Sequence, residues 1–315
     1  MKKQRLKQMC FLLIFSPLIF SCGEDERAQF PTSAQIFYSL SEDPAEAKKV
    51  AFTAIAHSAE SYLWDFGDGN TSTEPVIVHE YSDGGYYKVS LTVTGSTGTD
   101  TEEVDLAIDL TPYVLLTGGP TNEQGKKWKL SAGHSAGDNY FANADAEFSL
   151  FDGTPRPLPD GIFATEFGMG KVYDDEFTFH FDGTLEIDTK DDEAVFSGYV
   201  HQLMTGGNVV NANGAQFNLI IASYTPEANA TFTYVEEEDF EVGTVYGPGG
   251  KLTFEGVSTM DFSAGSFVGF LDYETKVIVS DVKDKSFNII VFIAASPDFY
   301  PTATHAIILT MEAVE

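Results

Sequence analysis

Cysteine is almost missing from this chain: its 315 residues include two, Cys10 and Cys22. That excludes a disulfide framework and a cysteine-built zinc site, so the fold has to be held by its core. Positive charge is scarce as well. Eighteen Lys and Arg face 48 Asp and Glu, a net charge of −30. Nucleic acid is excluded as a partner, because affinity for it rests on neutralising phosphates. Electrostatic attachment to anionic lipid is excluded for the same reason. Strong negative charge suits a soluble surface and an uncharged ligand. The six His are scattered, and no G-x-S-x-G, H-E-x-x-H or P-loop occurs. Helical periodicity of any length is absent. The one long apolar run, Met9 to Phe20, is about 12 residues, short of the roughly 20 that a spanning helix needs.

What is present begins with that run. Lys2, Lys3, Arg5 and Lys7 precede it, and Ile19-Phe20-Ser21-Cys22 ends it. A basic stretch, an apolar stretch and a small residue before the break describe a secretory signal over 1–21. The last four residues resemble a bacterial lipobox, with Phe20 bulkier than usual. The resemblance implies that Cys22 is lipidated and that Cys10 is removed with the signal. An ordinary signal peptide with an incidental Cys is the other reading. The acidic triplet Glu24-Asp25-Glu26 within 22–30 resembles the export signal of surface-exposed lipoproteins of the Bacteroidota, which implies an outer-membrane protein facing outward. A solvated acidic linker is the plain alternative.

The remainder reads as all-β. There are 26 Phe, 14 Tyr and 28 Gly, a composition rich in aromatics and turns. The chain divides near residue 111. In the first part, Trp64-Asp65-Phe66-Gly67-Asp68-Gly69 is followed by His79, Tyr81 and Gly85-Tyr86-Tyr87-Lys88-Val89-Ser90-Leu91-Thr92-Val93. Asp68-Gly69 is a turn, and Val89, Leu91 and Val93 alternate with polar residues as in a half-buried strand. The pattern resembles the polycystic kidney disease (PKD) domain over 31–110, an immunoglobulin-like sandwich with Trp64 in its middle. Asp65 and Asp68 are candidate calcium ligands, although an Asp-Gly turn needs no metal.

Residues 111–124 read as a linker, broken by Gly118-Gly119-Pro120. Strand-like runs follow throughout 125–315, at 177–181, 185–187, 215–224, 230–236, 251–255, 266–273, 276–282, 286–294 and 304–313. So many strands predict a larger β-sandwich or jelly roll. The order of Lys126-Lys127-Trp128-Lys129-Leu130, Gly133-His134, Tyr173-Asp174-Asp175-Glu176-Phe177 and Asp182-Gly183-Thr184 resembles the module behind a PKD domain in polysaccharide-utilisation lipoproteins of the Bacteroidota. The resemblance implies a non-catalytic glycan-binding protein working beside an outer-membrane uptake transporter. Its ligand would be a neutral polysaccharide, with a laminarin-type β-glucan suggested by family association alone.

Sugar rings stack their C–H faces on aromatics and meet planar polar groups with their hydroxyls. The polar, Gly/Pro-rich stretch 132–170 offers both. The expected ligand-binding residues are Tyr140, Phe141 and Phe151 as rings, with Asp138, Asn139 and His134 for hydroxyls. Arg156 belongs to the same stretch, and Phe299-Tyr300 is a second place. Trp128 alternates with lysines as a core residue does. Asp174, Glu176 and Asp182 are candidate ligands of a structural calcium ion. Glu186, Asp188 and Asp191 are similar to the acidic strand of laminarinase-type hydrolases, but the spacing fails. A surface adhesion or protein-interaction role, and less favoured a glycoside hydrolase, are the alternatives.

Overall fold

The computed structural model describes residues 30–149 and 155–314. Cys22 and Phe151 lie outside the described residues.

The first domain has seven strands: β1 Ser33–Leu40, β2 Lys49–His57, β3 Ala59–Asp65, β4 Thr71–Ser72, β5 Val76–Glu80, β6 Gly85–Gly95 and β7 Gly98–Ile108. They form two antiparallel sheets, β1-β2-β5 and β4-β3-β6-β7. Alternation decides which side chains go inward. Along β6, Tyr87, Val89, Leu91 and Val93 are buried and the residues between them are more exposed. They meet Val50, Phe52, Trp64 and Phe66 from the other strands in one core.

The Trp-Asp-Phe-Gly-Asp-Gly motif is consumed by folding. The indole of Trp64 is fully buried, and its Nε1 donates to Glu74 O at 2.9 Å. Asp65 Oδ1 accepts from Gly67 N, and Asp68 Oδ1 from Asn70 N. Asp68 Oδ2 lies 2.7 Å from His79 Nε2, and the His79 ring stacks on Phe66 at 4.1 Å. Tyr81 and Tyr87 direct their hydroxyls to Phe66 O and Asp83 O. Both candidate calcium ligands here therefore hold turns. Gly67 has φ +77°, and a Cβ there would lie 2.6 Å from Lys88 O, so only glycine fits.

Residues 111–124 differ from the expected linker. Thr111 caps a short helix, α1 Pro112–Thr117, which ends at Gly118 in the left-handed region. Leu116 enters the second domain's core, and its carbonyl accepts from Trp128 Nε1 at 2.8 Å. The run Tyr113-Val114-Leu115-Leu116 is apolar enough to be held by burial, which the breakers beside it obscured.

The second domain continues with β8 Lys126–Leu130, β9 Tyr140–Asn143, β10 Arg156–Pro157, α2 Ile162–Thr165, β11 Glu176–Phe179, β12 Leu185–Asp188, β13 Ala194–Gly198, α3 Tyr199–Thr205, β14 Val209–Gly214, β15 Leu219–Ser223, β16 Phe232–Gly243, β17 Lys251–Phe262, β18 Lys276–Ser280, β19 Ser286–Ile293 and β20 His305–Ala313. A large sheet runs β12-β11-β8-β20-β19-β18-β17-β16, with β9 on β20 and β10 on β9; a small sheet runs β13-β15-β14. The two make a β-sandwich. The large sheet curves until its ends meet at a bridge between Thr184 and Thr231. Inside the curve, Trp128, Phe177, Phe179, Phe232, Phe287 and Leu309 pack with Phe196 and Leu219 of the small sheet. On its other face Phe240, Ile278 and Phe292 form a second cluster. Strands such as β20 are buried on both faces, so they read as continuous apolar runs instead of alternating ones. The run at 266–273 is buried but forms no strand, because Gly265 and Gly269 turn the chain at positive φ.

Candidate functional site

The stretch 132–170 divides into scaffold and surface. His134 and Asn139 belong to the scaffold: both are buried. Asn139 Nδ2 lies 2.9 Å from His134 Nδ1, and His134 Nε2 lies 2.8 Å from the Tyr173 hydroxyl. An amide nitrogen can only donate, so Nδ1 accepts and the proton sits on Nε2. The ring is thus neutral, and burial pushes its pKa down to about 4. Asn139 Oδ1 accepts from Thr310 Oγ1 at 2.8 Å, which completes the network. Neither side chain is free to meet a ligand hydroxyl. Asp138 is exposed at φ +51°, in a turn.

Tyr140 and Phe141 are neighbours on β9, so they point to opposite faces and cannot form one platform. Phe141 stacks on His305 at 4.9 Å. Across the hairpin, Phe141 pairs directly with Arg156, which places the ring and the guanidinium on one face.

That face borders a cleft of about 310 Å³. Phe163, Leu158 and Leu219 are its buried floor. Phe141, Ile162 and Phe167 form its walls, and Phe217 stands at its rim, 47% exposed. The Phe217 and Phe167 rings are 5.7 Å apart. Asn213 Nδ2 donates to Phe167 O at 2.9 Å and Asn211 Nδ2 to Gly168 O at 3.2 Å, fastening β14 to that wall. Pro157 and Pro159 stiffen the strand that carries Arg156. Phe167 and Phe217 are absent from the residues expected by sequence. Phe217 follows Asn208–Gly214, as polar and Gly-rich as 132–170, so the same signal was there to be read.

Two larger hollows, about 540 and 630 Å³, follow the junction of the domains around Tyr86 and Thr121. Their charged groups already have partners, Lys88 with Asp105 and Lys126 with Asp284. They offer a ligand less than the apolar cleft does. Around the second sequence-predicted place, the Tyr300 hydroxyl lies 3.3 Å from His201 Nδ1, while Phe299 is exposed.

The donor set expected for calcium does not fit. Glu176 is gripped by Lys190 at 2.9 Å and Lys127 at 3.2 Å. Asp182 sits at the far, turn end of the β11–β12 hairpin, where Oδ1 accepts from Thr184 N. Asp174 ends a 3-10 turn. Among the described residues no group of three or more His, Cys, Asp or Glu is placed to hold a metal. The acidic strand is likewise occupied by structure: Asp188 pairs with Lys190 and Asp191 with Lys171.

Residues 39–109 match the PKD domain family, so the chain carries a PKD domain at its first sandwich. Curated relatives are similar over short segments. The pre-pro-metalloprotease PrtV of Vibrio cholerae is 48% identical over 56 residues, 18% of this chain and 6% of that protein. The collagenase ColQ1 of Bacillus cereus is 55% identical over 113 residues, 36% of this chain and 12% of that protein. The chain thus spans a small fraction of the relatives it matches. Among solved structures, the PKD1 domain of the Vibrio cholerae metalloprotease is 30% identical, covering 25% of this chain and 99% of that one, with a TM-score of 0.23. A carbohydrate-binding module of the β-sandwich superfamily covers 91% of this chain and 93% of its own, at 15% identity and a TM-score of 0.24. Scores this low carry no argument about ligand or arrangement. A PKD domain is itself non-catalytic, although these relatives carry theirs within larger proteases.

Proposed function

We propose that the protein is a non-catalytic, lipid-anchored surface protein that holds a polysaccharide in the cleft of its second domain. Lipidation of Cys22 and outward display rest on the lipobox and the acidic triplet, and the PKD domain acts as spacer. The observation that carries the reading is the cleft: aromatic rings, two of them reachable from outside, beside the planar guanidinium of Arg156. Such a surface takes the apolar face of a sugar ring without needing charge. Affinity electrophoresis of the chain from residue 30 onward, against a panel of polysaccharides, tests it. Retention by at least one polymer, lost in Phe217→Ala, is expected. No retention by any polymer ends the reading.

A second reading is favoured by the outer face of β1-β2-β5. Phe37, Val76 and Val78 are 60%, 64% and 64% exposed there, and Ile55 lies on the same face. An exposed apolar sheet face suits a protein contact. Collagen is the first partner to try, since collagenases carry similar segments. Cosedimentation with fibrillar collagen, weakened by Val76→Asp, supports that role, and no cosedimentation removes it.

A further inference from the structure

The chain has three arginines, Arg5, Arg27 and Arg156, and only Arg156 lies in the second domain. It is exposed on β10, opposite Phe141 and at the edge of the aromatic cleft. Among the described residues no ion pair includes it, whereas lysines across the second domain, such as Lys127, Lys171, Lys190 and Lys276, have carboxylate partners. Asp160, four residues on, is engaged elsewhere: its carboxylate takes both the backbone N–H and the hydroxyl of Ser135 at 2.7–2.8 Å. Among the described residues the cleft lining contains this one cation and no acidic side chain, in a chain where 48 residues are acidic. The exposed guanidinium is thus open to solvent and to a ligand.

We infer that the cleft recognises an acidic sugar, a hexuronate residue whose carboxylate is held by Arg156 while its ring lies against Phe141 and Phe217. This rests on the polysaccharide reading above and narrows it from the neutral polymer that the overall charge suggested. The guanidinium is planar and presents two parallel N–H groups, which match the two coplanar oxygens of a carboxylate. The carboxylate of a uronate projects from the ring edge, so the apolar face stays free to stack. The acidic surface elsewhere on the protein repels a polyanion and leaves this spot as its point of contact.

The test compares polygalacturonate and alginate with the same polymers after carboxyl reduction, in affinity electrophoresis of the chain from residue 30 onward. The native polyuronate is expected to bind at least tenfold more tightly than its reduced form at a salt concentration high enough to screen the repulsion from the acidic surface. Arg156→Gln is expected to abolish that preference without moving the thermal melt. Phe217→Ala is expected to weaken both forms alike. Equal affinity for native and reduced polymer, an unchanged preference in Arg156→Gln, or retention by sulfated or neutral glycans alone overturns the uronate assignment and leaves polysaccharide binding standing. Retention by no glycan at all removes the polysaccharide reading and this inference with it.

Discussion

The two domains use their conspicuous residues in opposite ways. In the PKD domain the most recognisable motif is spent on the fold: Trp64, Asp65, Gly67, Asp68, His79 and Tyr81 each hold another part of the same sandwich. In the second domain the conspicuous stretch 132–170 is split. His134 and Asn139 hold the loop to β20 through Thr310, while Phe141 and Arg156 are left at a cleft. A specific sequence pattern is thus no sign of a site. What marks a site is a polar or aromatic group that the fold has not already engaged.

The largest expected effect breaks the PKD side of this contrast. Trp64→Ala should cost about 3–5 kcal/mol of that domain's stability, the usual cost of emptying a large aromatic core position. Calorimetry should show the PKD transition falling while glycan retention persists below it. If retention is lost with the second domain still folded, the PKD domain is more than a spacer.

Two buried groups in the second domain come next, and they titrate in opposite senses. His134 is held neutral with its pKa near 4, against 6.5 for a free imidazole. Its stabilising contribution is complete above pH 6.5 and is lost as pH falls toward 4, on the order of 3 kcal/mol in all. Asp272, buried without a cation, has its pKa raised to about 7. Its contribution is complete below pH 4 and is lost as pH rises toward 7. Burial also raises the Asp175 carboxyl to about 8, which slopes the profile in the same sense as Asp272, so urea melts from pH 4 to 7 are to be compared variant against wild type. Relative to the wild type, Asp272→Asn should tilt stability upward with rising pH, and His134→Gln should tilt it downward. Parallel profiles in all three proteins would show that neither group is buried as described.

Phe217→Ala should weaken polysaccharide binding by about 1–3 kcal/mol, the worth of one large apolar side chain. Its rim position predicts little change in the melt. A large drop in melting temperature would move Phe217 from the cleft to the core. The smallest effect is expected at Glu176→Gln. Loss of two partly exposed lysine pairs should cost no more than about 1 kcal/mol, and calcium or a chelator should not shift the melt of either protein. A calcium-dependent rise in the wild type alone would restore the metal reading of Glu176.

The sequence by itself determined the class and the first domain. Alternation along β6, the turn glycines and the buried Trp64 follow from local rules of period and φ, and these need no knowledge of distant residues. It also marked 132–170 as a place where aromatics and polar groups meet. Which of them face a ligand was decided only by tertiary structure. Asn139 is claimed by Thr310, 171 positions away, and His134 by Tyr173. Phe217 reaches the cleft because β14 and β15 bring it beside Phe167. Such pairings depend on how sheets pack, and neighbouring residues carry no imprint of them. Tyr140 and Phe141 look equivalent as adjacent letters, yet the pleat of β9 sends one to each side.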